Sequence, residues 1–164
     1  MRKIIIGVIL AIIVALILAF TFNLPAKLLT TEKSYTEELT LRAENGDADA
    51  QYKLAELTRD HKESIRLLKL SAEGGNASAQ YKLAFLYEQG SSVEYNLQEA
   101  IRLYHLAAKQ GVTEAKLQLA YWYLAGEGVE QNIDTAVSYL REACDDGSIF
   151  GCESYKRWNT SMFK

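Results

Sequence analysis

Apolar residues recur every three or four positions along most of the chain. One stripe runs through Ala79, Leu83 and Tyr87, and another lies within residues 97–108. This spacing predicts amphipathic helices that bury one face. Pro25 is the only proline, which suits a nearly all-helical body because proline disrupts a helix interior.

A six-residue block repeats within these stripes. Ala-Gln-Tyr-Lys-Leu-Ala occurs at Ala50–Ala55 and again at Ala79–Ala84, and a looser copy spans Ala115–Ala120. The periods are 29 and 36 residues, because the first unit lacks a segment equivalent to Gly90–Asn96. Such repeats predict stacked helix pairs, since no single unit can bury its apolar face alone.

Glycines and short polar residues mark the unit boundaries. A glycine at each boundary is expected to end a helix in the left-handed conformation, and a polar residue just after it is expected to cap the next helix. The glycines are Gly46, Gly75, Gly111 and Gly147, and the predicted caps are Asp47, Asn76, Thr113 and Ser148.

These signals predict an all-α fold for residues 34–164. We expect an α/α solenoid of about three helix-pair repeats, at about 47–75, 76–111 and 112–147. A helix over Ser34–Asn45 would cap the front of the stack. A C-terminal helix over 148–158 would cap the rear.

The N-terminal segment differs from the body. Seventeen apolar residues from Ile4 to Phe20 follow Arg2 and Lys3, long enough to cross a bilayer core of about 30 Å. We predict a transmembrane signal anchor at 1–24 and a tether at 25–33, with the body in the periplasm of a bacterial inner membrane. The alternative is a cleaved signal peptide that leaves a soluble periplasmic or secreted protein.

Charge and motifs narrow the function. The chain has 18 basic and 21 acidic residues, and three of the basic ones lie in the first thirty, so the body is near −6. This balance argues against nucleic-acid binding. His61 and His105 stand alone in sequence and are interpreted as surface residues, the second on a solvent face. We expect no catalytic base–nucleophile pair, metal site, cofactor or small-molecule substrate.

The repeat resembles the Sel1-like family, which is related to tetratricopeptide repeats. The second and third units match its two-helix pattern, although Ser92 replaces a loop glycine and Ala84 and Ala120 replace a helix glycine. The resemblance implies a right-handed superhelix of antiparallel helix pairs. The matching positions are Ala79, Leu83, Tyr87, Ala100, Tyr104, Ala107, Ala108, Gly111, Ala115, Leu119, Tyr123, Gly126, Gly128, Val129, Ala136, Tyr139 and Ala143.

Cys144 and Cys152 lie across the last predicted helix turn. Antiparallel helix ends can meet the Cα separation that a disulfide needs, an exported domain would be oxidised, and cysteine-rich Sel1-like proteins pair cysteines at this junction. We predict a disulfide. Two buried free thiols are the alternative, and a metal site is less favoured because neither histidine is near in sequence.

The family resemblance places the partner-binding surface on the first helices, which would line the concave face. Glu56, Phe85 and Tyr121 follow the three blocks, so this position tolerates charge and is expected to be partly exposed. Exposed aromatic residues on a rigid surface are good interface anchors. The alternative for Phe85 and Tyr121 is that they pack between repeats, as Tyr52, Tyr81 and Leu117 are expected to do. The remaining candidate contacts are Glu88, Leu124, Lys53, Lys82 and Gln118.

The sequence therefore favours a non-enzymatic protein-binding module. Small exported Sel1-like proteins resemble immunity proteins that neutralise phospholipase effectors of type VI secretion, which makes a secreted lipase a candidate partner. An assembly scaffold or signalling adaptor for an envelope or secretion complex is the alternative. A cell-wall hydrolase or a purely structural envelope protein is less favoured.

Overall fold

The computed structural model describes residues 34–162, with side chains through Asn159. The predicted anchor at 1–24 and tether at 25–33 lie outside these residues. Within them, no helix combines the length and apolar character needed to span a membrane. The described chain falls into two units divided after Leu41, so only residues 34–41 belong to the first, and they are helical.

Every regular element in residues 34–162 is helical. The first helix, α1, covers residues 34–44 and confirms the helix predicted there. The others are α2 (Ala48–Leu57), α3 (His61–Glu73), α4 (Ala77–Gln89), α5 (Leu97–Lys109), α6 (Thr113–Ala125), α7 (Ile133–Asp145) and α8 (Ile149–Met162). We call α2–α3, α4–α5 and α6–α7 the first, second and third repeats.

Local chemistry fixes the helix starts. The side chains of Asp47 and Asn76 accept hydrogen bonds from the N–H groups of Ala50 and Ala79, at 3.0 and 2.8 Å. Ser148 accepts from the N–H of Gly151 at 3.1 Å. These three predicted caps are confirmed, and each satisfies an otherwise unpaired N–H of the first helical turn.

The predicted Thr113 cap is wrong. Val112 follows the junction glycine and occupies the cap position of α6 without a side-chain hydrogen bond. Thr113 is already helical, and its hydroxyl donates to Asp146 at 3.1 Å. The four junction glycines have φ between +86° and +92°, as predicted.

The core of the part of the chain that begins at Arg42 is built from small residues with a few large ones. Ala79, Ala115 and Ala136 are fully buried, which lets paired helices approach closely, and Tyr104 and Leu119 fill the space between them. The extensive contacts join helices that are consecutive in sequence. This pattern is that of a solenoid, in which each helix pair is stabilised by its neighbours.

Helix α8 covers the end of the third repeat. Tyr155 and Trp158 pack against the cluster of Ala120, Ala136 and Leu140. Cys144 of α7 and Cys152 of α8 form a disulfide with a Cα–Cα distance of 4.4 Å. The predicted disulfide is therefore confirmed, and α8 is covalently held at its N-terminal turn.

Candidate functional site

Glu56, Phe85 and Tyr121 occupy the same position on α2, α4 and α6, and all three are exposed. Phe85 is 43% exposed and Tyr121 is 56% exposed. The ring of Tyr121 lies edge-on against buried Trp122, with centroids 4.9 Å apart. We call Glu56, Lys82, Phe85, Gln118 and Tyr121 the recognition band, because it contains the predicted anchors on the three first helices.

Lys82 connects the first two helices of the band. Its ammonium donates to the Glu56 carboxylate at 2.6 Å and lies 5.2 Å from the centroid of the Tyr52 ring. The Tyr52 hydroxyl donates to the same carboxylate at 3.2 Å. The hydrogen bond from Lys82 lowers the pKa of Glu56, and the same bond raises the pKa of Lys82. This end of the band is therefore a preorganised polar surface.

One repeat further along, Phe85 stands at the position equivalent to Glu56, and Gln118 stands at the position equivalent to Lys82. In the first pair an ion pair spans the neighbouring helices. In the second pair an exposed aromatic ring replaces the acid and a half-buried amide replaces the ammonium. The band thus changes from charged to aromatic along the stack.

The remaining predicted contacts have different environments. Lys53 is exposed, while Leu124 is half-buried and packs against the cluster of the third repeat. Glu88 is half-buried and accepts a hydrogen bond from the fully buried Tyr104 hydroxyl. Desolvation and that carboxylate raise the pKa of Tyr104. Glu88 therefore joins α4 to α5 within the second repeat, so its carboxylate is engaged inside the protein.

The residues expected to pack between repeats are half-buried, and one of them, Tyr52, contacts the next repeat through Lys82. Tyr52 and Tyr81 are half-buried against the main core, and Leu117 packs against the cluster of the third repeat. The Tyr81 ring lies 5.8 Å from that of Tyr104. Tyr52 also donates a hydrogen bond to Glu56, so it contacts two residues of the recognition band.

The first helices carry a row of buried polar side chains that the sequence pattern did not predict. The second residue of each block is Gln51, Gln80 or Lys116, and each is at most 8% exposed. Gln51 donates to the carbonyl of Ala43 at 3.0 Å, and Gln80 donates to that of Ala72 at 3.1 Å. These bonds satisfy carbonyls near the ends of the preceding helices. The sequence signal for this buried row is a polar residue directly after a buried alanine in all three blocks.

The third repeat changes the chemistry of this row. Lys116 donates to the Asp146 carboxylate at 2.7 Å, and Glu142 lies 3.7 Å away. In the second repeat, the equivalent Gln80 accepts a hydrogen bond from Gln110 at 2.8 Å. A neutral amide pair is thus replaced by an ion pair. The hydrogen bond from Lys116 lowers the pKa of Asp146.

The prediction that His105 lies on a solvent face is wrong. Its ring is half-buried, with Nδ1 3.1 Å from the Tyr139 hydroxyl and Nε2 3.3 Å from the Tyr123 hydroxyl. Burial, followed by the charge of Lys109, lowers the pKa of His105. The two tyrosines come from the next repeat, so helical periodicity within α5 could not identify this contact.

His61 also acquires a partner that sequence did not predict. Its Nε2 lies 2.7 Å from the Ser92 hydroxyl, across 31 positions of sequence. His61 is exposed, so solvent has direct access to the ring. The bond connects the start of α3 to the loop between α4 and α5. Across residues 34–162, no group of histidine, cysteine and acidic residues has the arrangement of a metal site.

Three consecutive helix pairs with left-handed glycines at their junctions define a helical repeat scaffold. Residues 48–76, 77–112 and 113–148 each match the Sel1 repeat, which together is more than half of the chain. The chain belongs to the Sel1 repeat family. This fold is a protein-interaction scaffold and is generally non-enzymatic.

Solved structures agree with this assignment. A Sel1 repeat protein from Oxalobacter formigenes is 29% identical, with a TM-score of 0.70 over 74% of this chain and 97% of its own. A protective antigen of uropathogenic Escherichia coli with an SLR fold is also 29% identical, with a TM-score of 0.66 over 73% of this chain. This chain covers 27% of that antigen.

Cysteine-rich protein B of Helicobacter pylori shares the fold. It is 24% identical, with a TM-score of 0.56 over 77% of this chain and 93% of its own. Among curated proteins, none matches the chain.

Proposed function

We propose that the chain is a non-enzymatic protein-binding module that contacts its partner through the recognition band. The observation that carries this proposal is the exposure of Phe85 and Tyr121 at equivalent positions of consecutive repeats. Aromatic side chains lose little conformational entropy on binding and often dominate interface energetics. The Glu56–Lys82 pair at the other end of the band would contribute orientation more than affinity.

We propose that this module lies on the periplasmic side of the inner membrane, attached by the segment 1–24. The support is the apolar run from Ile4 to Phe20 after two cations. The Cys144–Cys152 disulfide is consistent with an oxidising compartment. Fractionation of cells that express the full chain, followed by protease accessibility of the body, tests this location. Protection of the body in spheroplasts, where the outer membrane is open, would contradict it.

We propose further that the partner is a secreted phospholipase effector, which the module neutralises as an immunity protein. The resemblance to exported Sel1-like immunity proteins supports this role. The net charge near −6 of the body would steer it toward a basic enzyme surface. The module would act by occluding the active site or the lipid-docking surface of the enzyme.

The test is a pull-down from native membranes with the full chain, followed by a binding assay on the captured protein. Phe85→Ala and Tyr121→Ala are each expected to weaken binding about tenfold or more, the range of an interface hot spot. Their melting temperatures should stay near wild type. Ile133→Ala is the matched control, because Ile133 is an exposed apolar residue on α7, outside the band.

Three results would count against the proposal. Equal effects of Phe85→Ala and Ile133→Ala on binding would show that the band is not the recognition surface. A melting loss as large as that of the core variant Leu83→Ala would show that Phe85 is structural. Capture of an envelope or secretion component with no effect on lipase activity would replace immunity with a scaffold role.

A further inference from the structure

A solvent-open cavity of about 600 Å³ lies between α3 and the loop that joins α4 to α5. Its walls include Lys62, Ile65 and Lys69 from one face of α3, with Tyr87 and Tyr95 from the second repeat. It therefore combines two cations with apolar and aromatic surface. It is built from a second helix and an interhelix loop, whereas the recognition band is built from first helices.

The two lysines have no anionic partner among the residues that the structure describes. They are seven positions apart on α3, which places their Cα atoms about 10 Å apart along the helix axis. Arg66 lies between them in sequence but is neutralised by Glu63 at 2.6 Å. Glu94 is the single acidic side chain in the lining. The cavity is thus locally cationic in a body whose net charge is near −6.

At the next junction of the stack, the equivalent loop between α6 and α7 packs directly against α5. Residue 62 of α3 is equivalent to Gln98 of α5, whose side chain donates to the carbonyl of Gly128 at 2.7 Å. Gly128 has φ of +72°, and a Cβ there would lie within 3 Å of Leu97 and Ile101. That loop lies directly on its helix because no side chain intervenes.

At the first junction, the corresponding loop residue is Ser92 and the corresponding helix residue is His61. Their hydrogen bond of 2.7 Å connects the loop to the start of α3. Lys62 replaces the glutamine that would tie the loop down. The cavity begins where that contact is absent.

The deeper end follows the same logic. His105 fills the second junction by meeting the hydroxyls of Tyr123 and Tyr139. Its equivalent at the first junction is Lys69, and the position of Tyr139 is taken by Leu103. The first junction therefore lacks the second tyrosine, with both its ring and its hydroxyl. The Lys69 ammonium lies where the next junction has an imidazole whose two nitrogens both have hydroxyl partners.

We propose that this cavity binds an acidic peptide segment of a partner protein, with two carboxylates about 10 Å apart. Each carboxylate would pair with one lysine, and an aromatic or apolar residue between them would contact Ile65 and Tyr87. In the polyproline II conformation, which has three residues per turn and a rise of about 3.1 Å per residue, residues three apart lie on the same face about 9 Å from each other. The proposal stands independently of the recognition band.

The probe is a fluorescein-labelled peptide, Gly-Glu-Tyr-Gly-Glu-Gly, titrated with the oxidised chain at low ionic strength. Its counterpart has glutamine in place of both glutamates. The acidic peptide is expected to bind, and its affinity should fall as salt rises. Lys62→Gln and Lys69→Gln should each weaken binding about threefold, as partly exposed ion pairs do. Glu94→Gln should strengthen it by a similar factor.

The matched control is Lys53→Gln/Lys109→Gln, which removes the same charge outside the cavity. It should leave affinity within about twofold of wild type, whereas Lys62→Gln/Lys69→Gln should lose about tenfold. Absence of acidic-peptide binding, or equal losses in the two double variants, would overturn the proposal. Displacement of the peptide by an equal concentration of inorganic phosphate would also overturn it, in favour of a small-anion site.

Discussion

The ammonium of Lys116 lies 2.7 Å from the carboxylate of Asp146, at positions that hold Gln80 and Gln110 in the preceding repeat. Both pairs connect the start of a first helix to the end of its second helix. The side chain of Lys116 is only 10% exposed. A buried charge without its partner is costly, while a matched neutral pair of similar shape avoids that cost.

The first prediction concerns this exchange. Lys116→Met should lower the melting temperature by roughly 2–4 °C, because methionine cannot form the charged hydrogen bond that Lys116 donates to Asp146. The double variant Lys116→Gln/Asp146→Gln should regain at least half of that loss, since the second repeat already accommodates two glutamines. Thermal unfolding by circular dichroism at neutral pH measures both. A double variant no more stable than Lys116→Met would contradict the equivalence of the two sites.

The second prediction concerns pH. Because the folded pKa of His105 is lowered, the unfolded chain binds the proton more readily. The contribution of His105 to the free energy of unfolding is therefore fully present above its unfolded pKa of about 6.5. This stabilisation is lost as the pH falls from that value through the lower folded pKa. The charged groups near the cluster are Lys109, which disfavours the imidazolium, and Glu142 beside Tyr139.

The measurement is melting temperature between pH 7.5 and pH 5, compared with His105→Gln. The variant should show a flatter curve in this interval, even if its stability at pH 7.5 is lower. His61→Gln is the matched control, since His61 is exposed, and its curve should parallel wild type. Parallel curves for wild type and His105→Gln would show that the buried histidine does not set the pH response.

The third prediction separates backbone strain from packing at glycine. Gly128 and Gly111 both have positive φ, but only at Gly128 would a Cβ meet other side chains, those of Leu97 and Ile101. Gly111→Ala should cost about 1 kcal/mol from the left-handed backbone alone. Gly128→Ala should cost about 2–3 kcal/mol, because the loop must also lift from α5. Urea denaturation measures both, and equal costs would rule out the packing contribution.

The fourth prediction concerns the disulfide between α7 and α8. The variant Cys144→Ala/Cys152→Ala should lose roughly 2–3 kcal/mol of unfolding free energy, from the closure of a short loop. Hydrogen exchange should rise first in α8, because Tyr155 and Trp158 would then depend on packing alone. Reduction of wild type with dithiothreitol should reproduce the loss. Unchanged exchange in α8 would show that packing suffices to hold it.

Sequence predicted the helices well because solenoid contacts are local. The stripe through Leu83 and Tyr87 packs mainly against the helices on either side, so periodicity alone identifies its buried face. The cysteine pair was predictable for the same reason, since eight residues confine both ends to one turn. The exposure of Phe85 and Tyr121 followed from the presence of Glu56 at the equivalent position.

The environments of His105 and Lys62 could not be predicted in this way. Each depends on how a loop or helix of the next repeat lies over it, which is a relationship between repeats. His105 is half-buried because Tyr123 and Tyr139 reach across the junction. Lys62 is exposed and lines a cavity with Ser92, which stands where the next repeat has Gly128. The substitution was visible in sequence, but the cavity that its loop forms with a helix thirty positions earlier was not.

The exchange of an amide pair for an ion pair also protects the order of the array. The blocks at Ala50–Ala55 and Ala79–Ala84 are identical, and near-identical repeats can pair with the wrong neighbour within a chain or between chains. If α6 took the place of α4 beside α5, the Lys116 ammonium would face the neutral Gln110. If α4 took the place of α6 beside α7, Gln80 would face Asp146. The third repeat thus carries an ion pair that only its own second helix completes, so the pairing of helices from non-equivalent repeats is disfavoured.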